Sequence, residues 1–576
     1  MGCLPLVIIL GATLVQAVTT STTLDDVCTP AYVRSKLPVD NVYPGITISH
    51  TNLSANPVYN VSTSGSAVYP ATTIDYCNVT LAYSHNGRDD TVQMRFWLPS
   101  PDKFANRYLS TGGADYYVNQ GTQQLPGGVM YGAVSGSTDG GFGGFDVGVD
   151  EILLLANGTL DWQNLYMFGY EAHHKLATIG KRFTRNFFNM TVNEEDQKLY
   201  SYYQSCSEGG REGWSQVQRY GDQFDGAVIG APAIRYSFQM TMHLWANVVE
   251  KTLGYYPSQC EIEAIVNETI TACDGMDGRM DGVVSRSDLC KMQFNLTETI
   301  GKGYYCAADG AVPVQNSTIS AQAVEVFEKI LDGMTDDDGK QVYLSYQPGA
   351  LFWDAQATYN TTSGNWGLDI NSMGGEFVTK FLQLLDLDNL PTLENVTYET
   401  LKEWVQHGWQ MYEDSLHTTW PDLTPFHEAG GKVLHYHGEQ DGSIPTASSV
   451  HYYDSVRRTM YPTLGYNASH EALGQWYRLF LVPGASHCMN NDLQPNGPFP
   501  QTSLQTLIEW VEQGVVPVRL NGTVLSGTFE GETQEICAWP LRPMWYDNGT
   551  SMECEYDQKS LKTWEWDLDA FDLPVY

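Results

Sequence analysis

The run FDGAVIGAPA at residues 224–233 constrains the fold more than any other feature of this 576-residue chain. It is apolar on both faces that a strand presents and it stops at a turn, as a strand buried on both sides in a parallel sheet does. GKVLHYHGEQD, from Gly431, and YRLFLVPGASH, ending at His487, have the same character, and SLQTLIEWVEQG reads as a helix closed by Gly514. Upstream, DTVQMRFWLP alternates like a strand and RYLSTGGADYY reads as a strand running into a glycine turn. EEDQKLYSYYQSC, residues 194–206, reads as a helix. Strands alternating with helices at both ends predict an α/β fold with a doubly wound, mostly parallel sheet. Residues 235–428 break that rhythm with mixed helical patterns, Gly- and Asp-rich turns and four cysteines, and are expected to form an inserted lid domain. The sheet domain then comprises residues 18–234 and 429–576.

The first residues, MGCLPLVIILGATLVQAVTT, form an apolar core with a small-residue site near Ala17. That run is too short for a bilayer span and reads as a signal peptide, residues 1–17, of a secreted, extracellular protein; a buried amino-terminal strand is the weaker alternative. Thirteen Asn-x-Ser/Thr sites fit a glycosylated surface: Asn52, Asn60, Asn78, Asn157, Asn189, Asn267, Asn295, Asn316, Asn360, Asn395, Asn467, Asn521 and Asn548. Of eleven cysteines, Cys3 would leave with the signal, and the remaining ten suit five disulfides in an oxidising compartment. A net charge of −36 argues against nucleic acid or an anionic membrane as partner and fits a soluble, acid-tolerant protein.

The chemistry centres on YYQSCSEGGREGW, residues 202–214. A strand, a sharp turn and a helix would lift the Ser207 hydroxyl clear of the sheet, with Gly209 and Gly210 giving the strained turn room. Alone this is a weak signal. Chain order strengthens it: Asp441 and His487 each follow a later strand, and Ser207, Asp441, His487 is the order used by α/β-hydrolases. At the carboxyl ends of parallel strands the three can converge as nucleophile, orienting carboxylate and general base. Cys206 precedes the serine and Cys488 follows the histidine, so a hydrogen-bonded pair would bring these cysteines within disulfide range. The Glu208 amide is one expected oxyanion donor, and Gly112 or Gly113 the other.

CDGMDGRMDGVVSRSDLC, residues 273–290, sets Asp274, Asp277 and Asp281 in a glycine-rich loop between cysteines, a donor set suited to a structural Ca²⁺. It is not an EF-hand, because Ser285 stands where the twelfth-position glutamate would be. His435 and His437 face one side of a strand, but no third ligand accompanies them, and they read as ordinary strand-end histidines. His173 and His174 read as surface or packing residues.

Taken together, TTIDYCNVTLAYSHNG, CSEGGREGWSQVQRYGDQFDGAVIGAPA, the aspartate loop, KVLHYHGEQDGSIPTASSVHYY, PGASHC and GETQEICAWPLRPMW resemble the fungal tannase and feruloyl esterase family of secreted α/β-hydrolases. The resemblance runs over nearly the whole mature chain. It implies a serine esterase that cleaves galloyl ester and depside bonds of tannins to release gallic acid, with feruloyl or chlorogenate ester hydrolysis as the alternative. A non-catalytic polyphenol-binding glycoprotein is the rival of another class. The resemblance also implies the carbonyls of Arg279 and Val283 as further calcium ligands, no organic cofactor, small polyphenol esters as partners and an oligomeric state left open. With proximity, it pairs Cys28–Cys77, Cys260–Cys306, Cys273–Cys290 and Cys537–Cys554. The chain departs from the family at Ser205, where glycine is usual, at Glu208, usually aspartate, and at Ala114, where a further glycine is common. Some relatives carry a basic cleavage insert in the lid; residues 307–322 have no dibasic pair, which predicts an uncut chain.

Overall fold

The computed structural model describes residues 22–39, 41–190 and 198–576. The segment read as a signal peptide lies outside the described residues. A ten-stranded mixed sheet organises the molecule. Its strands are β1 (Ile46–Ile48), β2 (Ser54–Thr63), β3 (Thr72–His85), β4 (Val92–Pro99), β5 (Arg107–Thr111), β6 (Ala133–Thr138), β7 (Tyr200–Cys206), β8 (Gly226–Gly230), β9 (Lys432–Gly438) and β10 (Tyr477–Val482). They lie in the order β1-β3-β4-β6-β5-β7-β8-β9-β10, with β2 also on β3. From β6 to β10 every neighbouring pair is parallel, whereas the amino-terminal strands are antiparallel.

One expectation is corrected here: Tyr200–Cys206 is a strand, not the end of a helix. Leu199, Tyr202, Tyr203 and Cys206 fall at helical spacing, but all are buried because β7 is covered on both faces. A strand without a polar face shows no alternation to reveal it, and its three tyrosines favour the pleated conformation.

Burial explains the neighbouring strand β8. Ala227 and Ile229 point into a core shared with Trp214 and Val433, whereas Val228 points into a second core with Leu434, Leu507 and Trp510. Each fully buried valine, leucine or isoleucine among them stabilises the fold by about 1.5–3 kcal/mol. Helices α1 (Ala172–Phe187), α2 (Glu208–Arg219) and α3 (Ala447–Met460) cover the first face, and α4 (Ser503–Gln513) covers the other and ends at Gly514 in the left-handed conformation.

Between β8 and β9 no described strand joins the central sheet. Residues 231–431 instead hold helices Tyr236–Met242, Trp245–Leu253, Gln259–Cys273, Ala321–Leu331 and Tyr398–Tyr412, with two small hairpins. This insertion is fastened to the sheet's carboxyl edge: the Gln440 amide donates to the Val284 carbonyl at 3.0 Å, and the Val284 amide donates to Gln494 Oε1 at 2.8 Å. Among the described residues five disulfides are present, Cys28–Cys77, Cys206–Cys488, Cys260–Cys306, Cys273–Cys290 and Cys537–Cys554, as expected. No described helix is long and apolar enough to cross a membrane.

Candidate active site

The turn from β7 into α2 places Ser207 at φ 66° and ψ −126°, a left-handed conformation that a non-glycine residue adopts only when its surroundings force it. What forces it is the tight approach of helix to strand. A Cβ at Gly209 would stand 2.1 Å from Ser205 Oγ, and one at Gly210 would stand 2.4 Å from the Gly230 carbonyl oxygen.

Asp441 lies three residues beyond β9 and is fully buried. Its Oδ1 accepts the amides of Ser443 and Ile444, both at 2.8 Å, and its Oδ2 accepts from His487 Nδ1 at 2.7 Å. His487, on the loop after β10, turns its other nitrogen to Ser207 Oγ at 2.8 Å. A carboxylate on Nδ1 fixes the tautomer, leaving the Nε2 lone pair for the serine proton. Burial alone would raise the Asp441 carboxyl, but the His487 ring and the donors from His437 and His487 hold it well below the usual carboxylate range.

The Cys206–Cys488 bond joins the residues on either side of this pair, with a Cα separation of 6.0 Å. The Trp353 ring, from the insertion, stands edge-on to His487 at 5.8 Å and is 38% exposed. A family model for tannase and feruloyl esterase matches residues 77–560. The chain belongs to the tannase and feruloyl esterase family.

Tannase from Aspergillus oryzae is 47% identical over 96% of each chain. A solved structure of tannin acyl hydrolase from Aspergillus niger is 56% identical, with a TM-score of 0.94 over 96% of this chain and 99% of that one. A probable feruloyl esterase from Arthroderma benhamiae is 31% identical over 85% of this chain and 87% of its own length. As a member of this family the chain is a carboxylic ester hydrolase with an α/β-hydrolase-like fold.

The departures from the family pattern have local explanations. Ser205 fits because Gly209 has no side chain, and its Oγ accepts from Gln124 Nε2 at 3.3 Å. Glu208 turns inward, where it is long enough to reach Arg211 Nε at 2.7 Å. Arg211, itself fully buried, also donates to the carbonyls of Phe168 and Gly169. The Glu208 amide opens α2 and so has no intrahelical acceptor, as an oxyanion donor requires.

Gly113 is a correction. Its amide donates to Glu212 Oε2 at 2.7 Å, so it is not free for an oxyanion. Glu212, one turn into α2 and fully buried, reaches back to grip this loop, while the Gly209 amide donates to the Gly113 carbonyl at 3.2 Å. The Ala114 amide donates to the Tyr117 carbonyl. Gly112 remains packed against the elbow, where a Cβ would stand 3.0 Å from Gly209 Cα. Sequence spacing carried no sign of Glu212 or Trp353.

Of the two histidine pairs, His173, His435 and His437 are buried and His174 is partly buried. His173 is fully buried 2.9 Å from Glu212, and His174 stacks on Tyr220. His435 and His437 face α3 beside Asp441, and only the second touches the carboxylate.

Asp274, Asp277 and Asp281 are all buried in the loop closed by Cys273–Cys290. Asp274 Oδ1 accepts the amides of Asp281 and Gly282 at 2.9 Å, and Asp281 Oδ2 meets Arg279 Nε at 3.0 Å. Asp277 Oδ1 accepts the Arg279 amide, but its buried Oδ2 has no partner. Burial, with neighbouring carboxylates adding to it, pushes Asp277 up to about 6 and Asp281 up to about 7. Among the described residues no three His, Cys, Asp or Glu side chains are grouped as a metal site.

Proposed function

We propose that this esterase hydrolyses galloyl ester and depside bonds of tannins, releasing gallic acid through an acyl-enzyme on Ser207. The substrate reading rests on one observation. Likeness to tannases, at 47% and 56% identity, is well above the 31% found with the Arthroderma feruloyl esterase. In this reading Ser207 Oγ attacks the ester carbonyl while His487 Nε2 takes its proton. Asp441 holds the imidazole and stabilises the imidazolium, and the Glu208 amide receives the oxyanion. His487 then protonates the departing phenol or alcohol, and water repeats the sequence to free the acid. The 2.7 Å and 2.8 Å hydrogen bonds along Asp441–His487–Ser207 support these roles.

Purified Ser207→Ala protein tests the triad. Release of gallic acid from methyl gallate should fall at least about a thousandfold with the fold intact. Equal turnover by variant and wild type refutes it. Methyl ferulate tests the acyl group, and a clear preference for the ferulate favours the sister activity.

A structural Ca²⁺ on Asp274, Asp277 and Asp281, with the Arg279 and Val283 carbonyls, is part of the same reading. The unpartnered, buried Asp277 Oδ2 is the atom that suits it, although Arg279 already neutralises Asp281. When bound, the ion would screen mutual repulsion among the three carboxylates and stiffen the loop. We also infer a secreted, glycosylated and uncut chain. Twelve of the thirteen glycosylation sites are exposed; Asn78, between β2 and β4, is only half-exposed with a buried Oδ1, so it should carry no glycan.

A further inference from the structure

Asp441 Oδ2 accepts two imidazole N–H groups, not one. Besides His487 Nδ1 at 2.7 Å, it faces His437 Nε2 at 3.1 Å, and that nitrogen also lies 3.0 Å from the Ile444 carbonyl oxygen. An ionised carboxylate and a carbonyl only accept hydrogen bonds, so His437 Nε2 must carry a proton. We propose that His437 is a positioning residue for ester hydrolysis, its Nε2–H holding the Asp441 oxygen that orients His487. This rests on the reading of Ser207, His487 and Asp441 as the catalytic triad.

The ring of His437 is itself held. Its Nδ1 lies 2.7 Å from Ser449 Oγ, which lies 2.8 Å from His435 Nε2, and His435 Nδ1 lies 2.9 Å from the Tyr477 hydroxyl. All five groups in this chain, from Asp441 to Tyr477, are completely buried, and they link β9, α3 and β10. Whichever way the intervening protons run, the end that meets Asp441 donates. The paired histidines that stand without a third ligand thus have a use that needs no metal.

Two consequences follow for the reaction. First, the carboxylate cannot swing, because both Asp441 oxygens are saturated by fixed donors. Second, His437 draws off charge that Asp441 would otherwise offer to the His487 imidazolium. Other ionisable groups within electrostatic reach of Asp441 are His243 and Tyr346 from the insertion, and Asp354 hydrogen-bonds both. None of these three hydrogen-bonds to the carboxylate of Asp441.

The test compares His437→Leu with His437→Gln, whose amide can place an N–H near the position of Nε2. For His437→Leu, kcat on methyl gallate should fall about tenfold to a hundredfold, the range for a hydrogen bond to a charged group. Its KM should change little. Because Asp441 becomes more basic, the imidazolium is better stabilised, and the acid limb of kcat/KM should move up by about half a pH unit or more. The Gln variant should recover most of the rate and the wild-type limb. A folded Leu variant with wild-type kcat and an unmoved limb overturns the proposal. If the Leu variant does not fold, Ser449→Ala decides, since it removes the group that steadies the His437 ring. A smaller upward shift of the same limb is then expected, and no shift overturns the role. Turnover retained by Ser207→Ala would sink the triad reading itself. An inactive Ser207→Ala beside an unperturbed His437→Leu sinks only the positioning role.

Discussion

Replacing both half-cystines, Cys206→Ala with Cys488→Ala, separates two effects that one bond combines. The bond closes a sequence separation of 282 residues. On the chain-entropy account, releasing so long a loop costs about 5 kcal/mol, less whatever the Cys260–Cys306 bond already restrains in the unfolded chain. A protein of this length unfolds with an entropy of about 1.2 kcal/mol per degree, so the melting temperature should fall by only about 4 °C. The catalytic effect should be larger. Ser207 and His487 stand on separate loops at 2.8 Å, each next to one end of the bridge, and a drift of about 1 Å can cost about a hundredfold in rate. The assay is steady-state release of gallic acid at 25 °C, well below the transition, beside a calorimetric melt of the same preparation. We expect kcat/KM to fall at least tenfold with the small change in melting temperature. A variant that melts earlier but turns over within twofold of wild type would refute the idea that the bridge holds the catalytic pair in register.

Trp353→Ala should raise KM for aromatic esters about three- to tenfold and leave kcat nearly unchanged, because the half-exposed ring offers a stacking or edge-on contact worth about 0.5–1.5 kcal/mol. An equal effect on an acetyl ester would count against a role in recognising the aromatic group. Glu250 is fully buried with one unpartnered oxygen, and burial pushes it up to about 8. The folded state then keeps a proton that the unfolded chain releases near pH 4.5, so stability falls as pH rises from about 4.5 to 8. Glu250→Gln should therefore stabilise by about 4 kcal/mol at pH 8 and hardly at all at pH 4, and melts that shift equally at both pH values contradict this. Chelation with EDTA should lower the melting temperature of protein purified with Ca²⁺, and Asp277→Asn should abolish that sensitivity. Metal analysis showing no calcium in the purified protein would dispose of the ion.

Much of this was legible in the sequence because parallel strands leave strong traces. Strand β8 is apolar throughout, β9 and β10 end in turns that carry Asp441 and His487, and cysteines flank the serine and the histidine. What stayed hidden depended on helix packing or on long-range contact. Strand β7 looked helical because tyrosines on both of its faces are buried. Glu212 gave no hint that it would take the Gly113 amide, since that contact joins residues 99 positions apart. His437 was visible as a spacing, but its bond to Asp441 depends on how the turn after β9 folds back.

The insertion leaves the sheet after β8 and returns at β9, yet it delivers Trp353 to the rim beside His487. On the proposed reading, reaction and selection are thereby housed in separate stretches of the gene. Residues around Trp353 can vary while the contacts that fasten the insertion to the sheet, such as Val284 with Gln440 and Gln494, hold the edge in place. Exchanging this stretch between relatives of different preference should carry the preference with it.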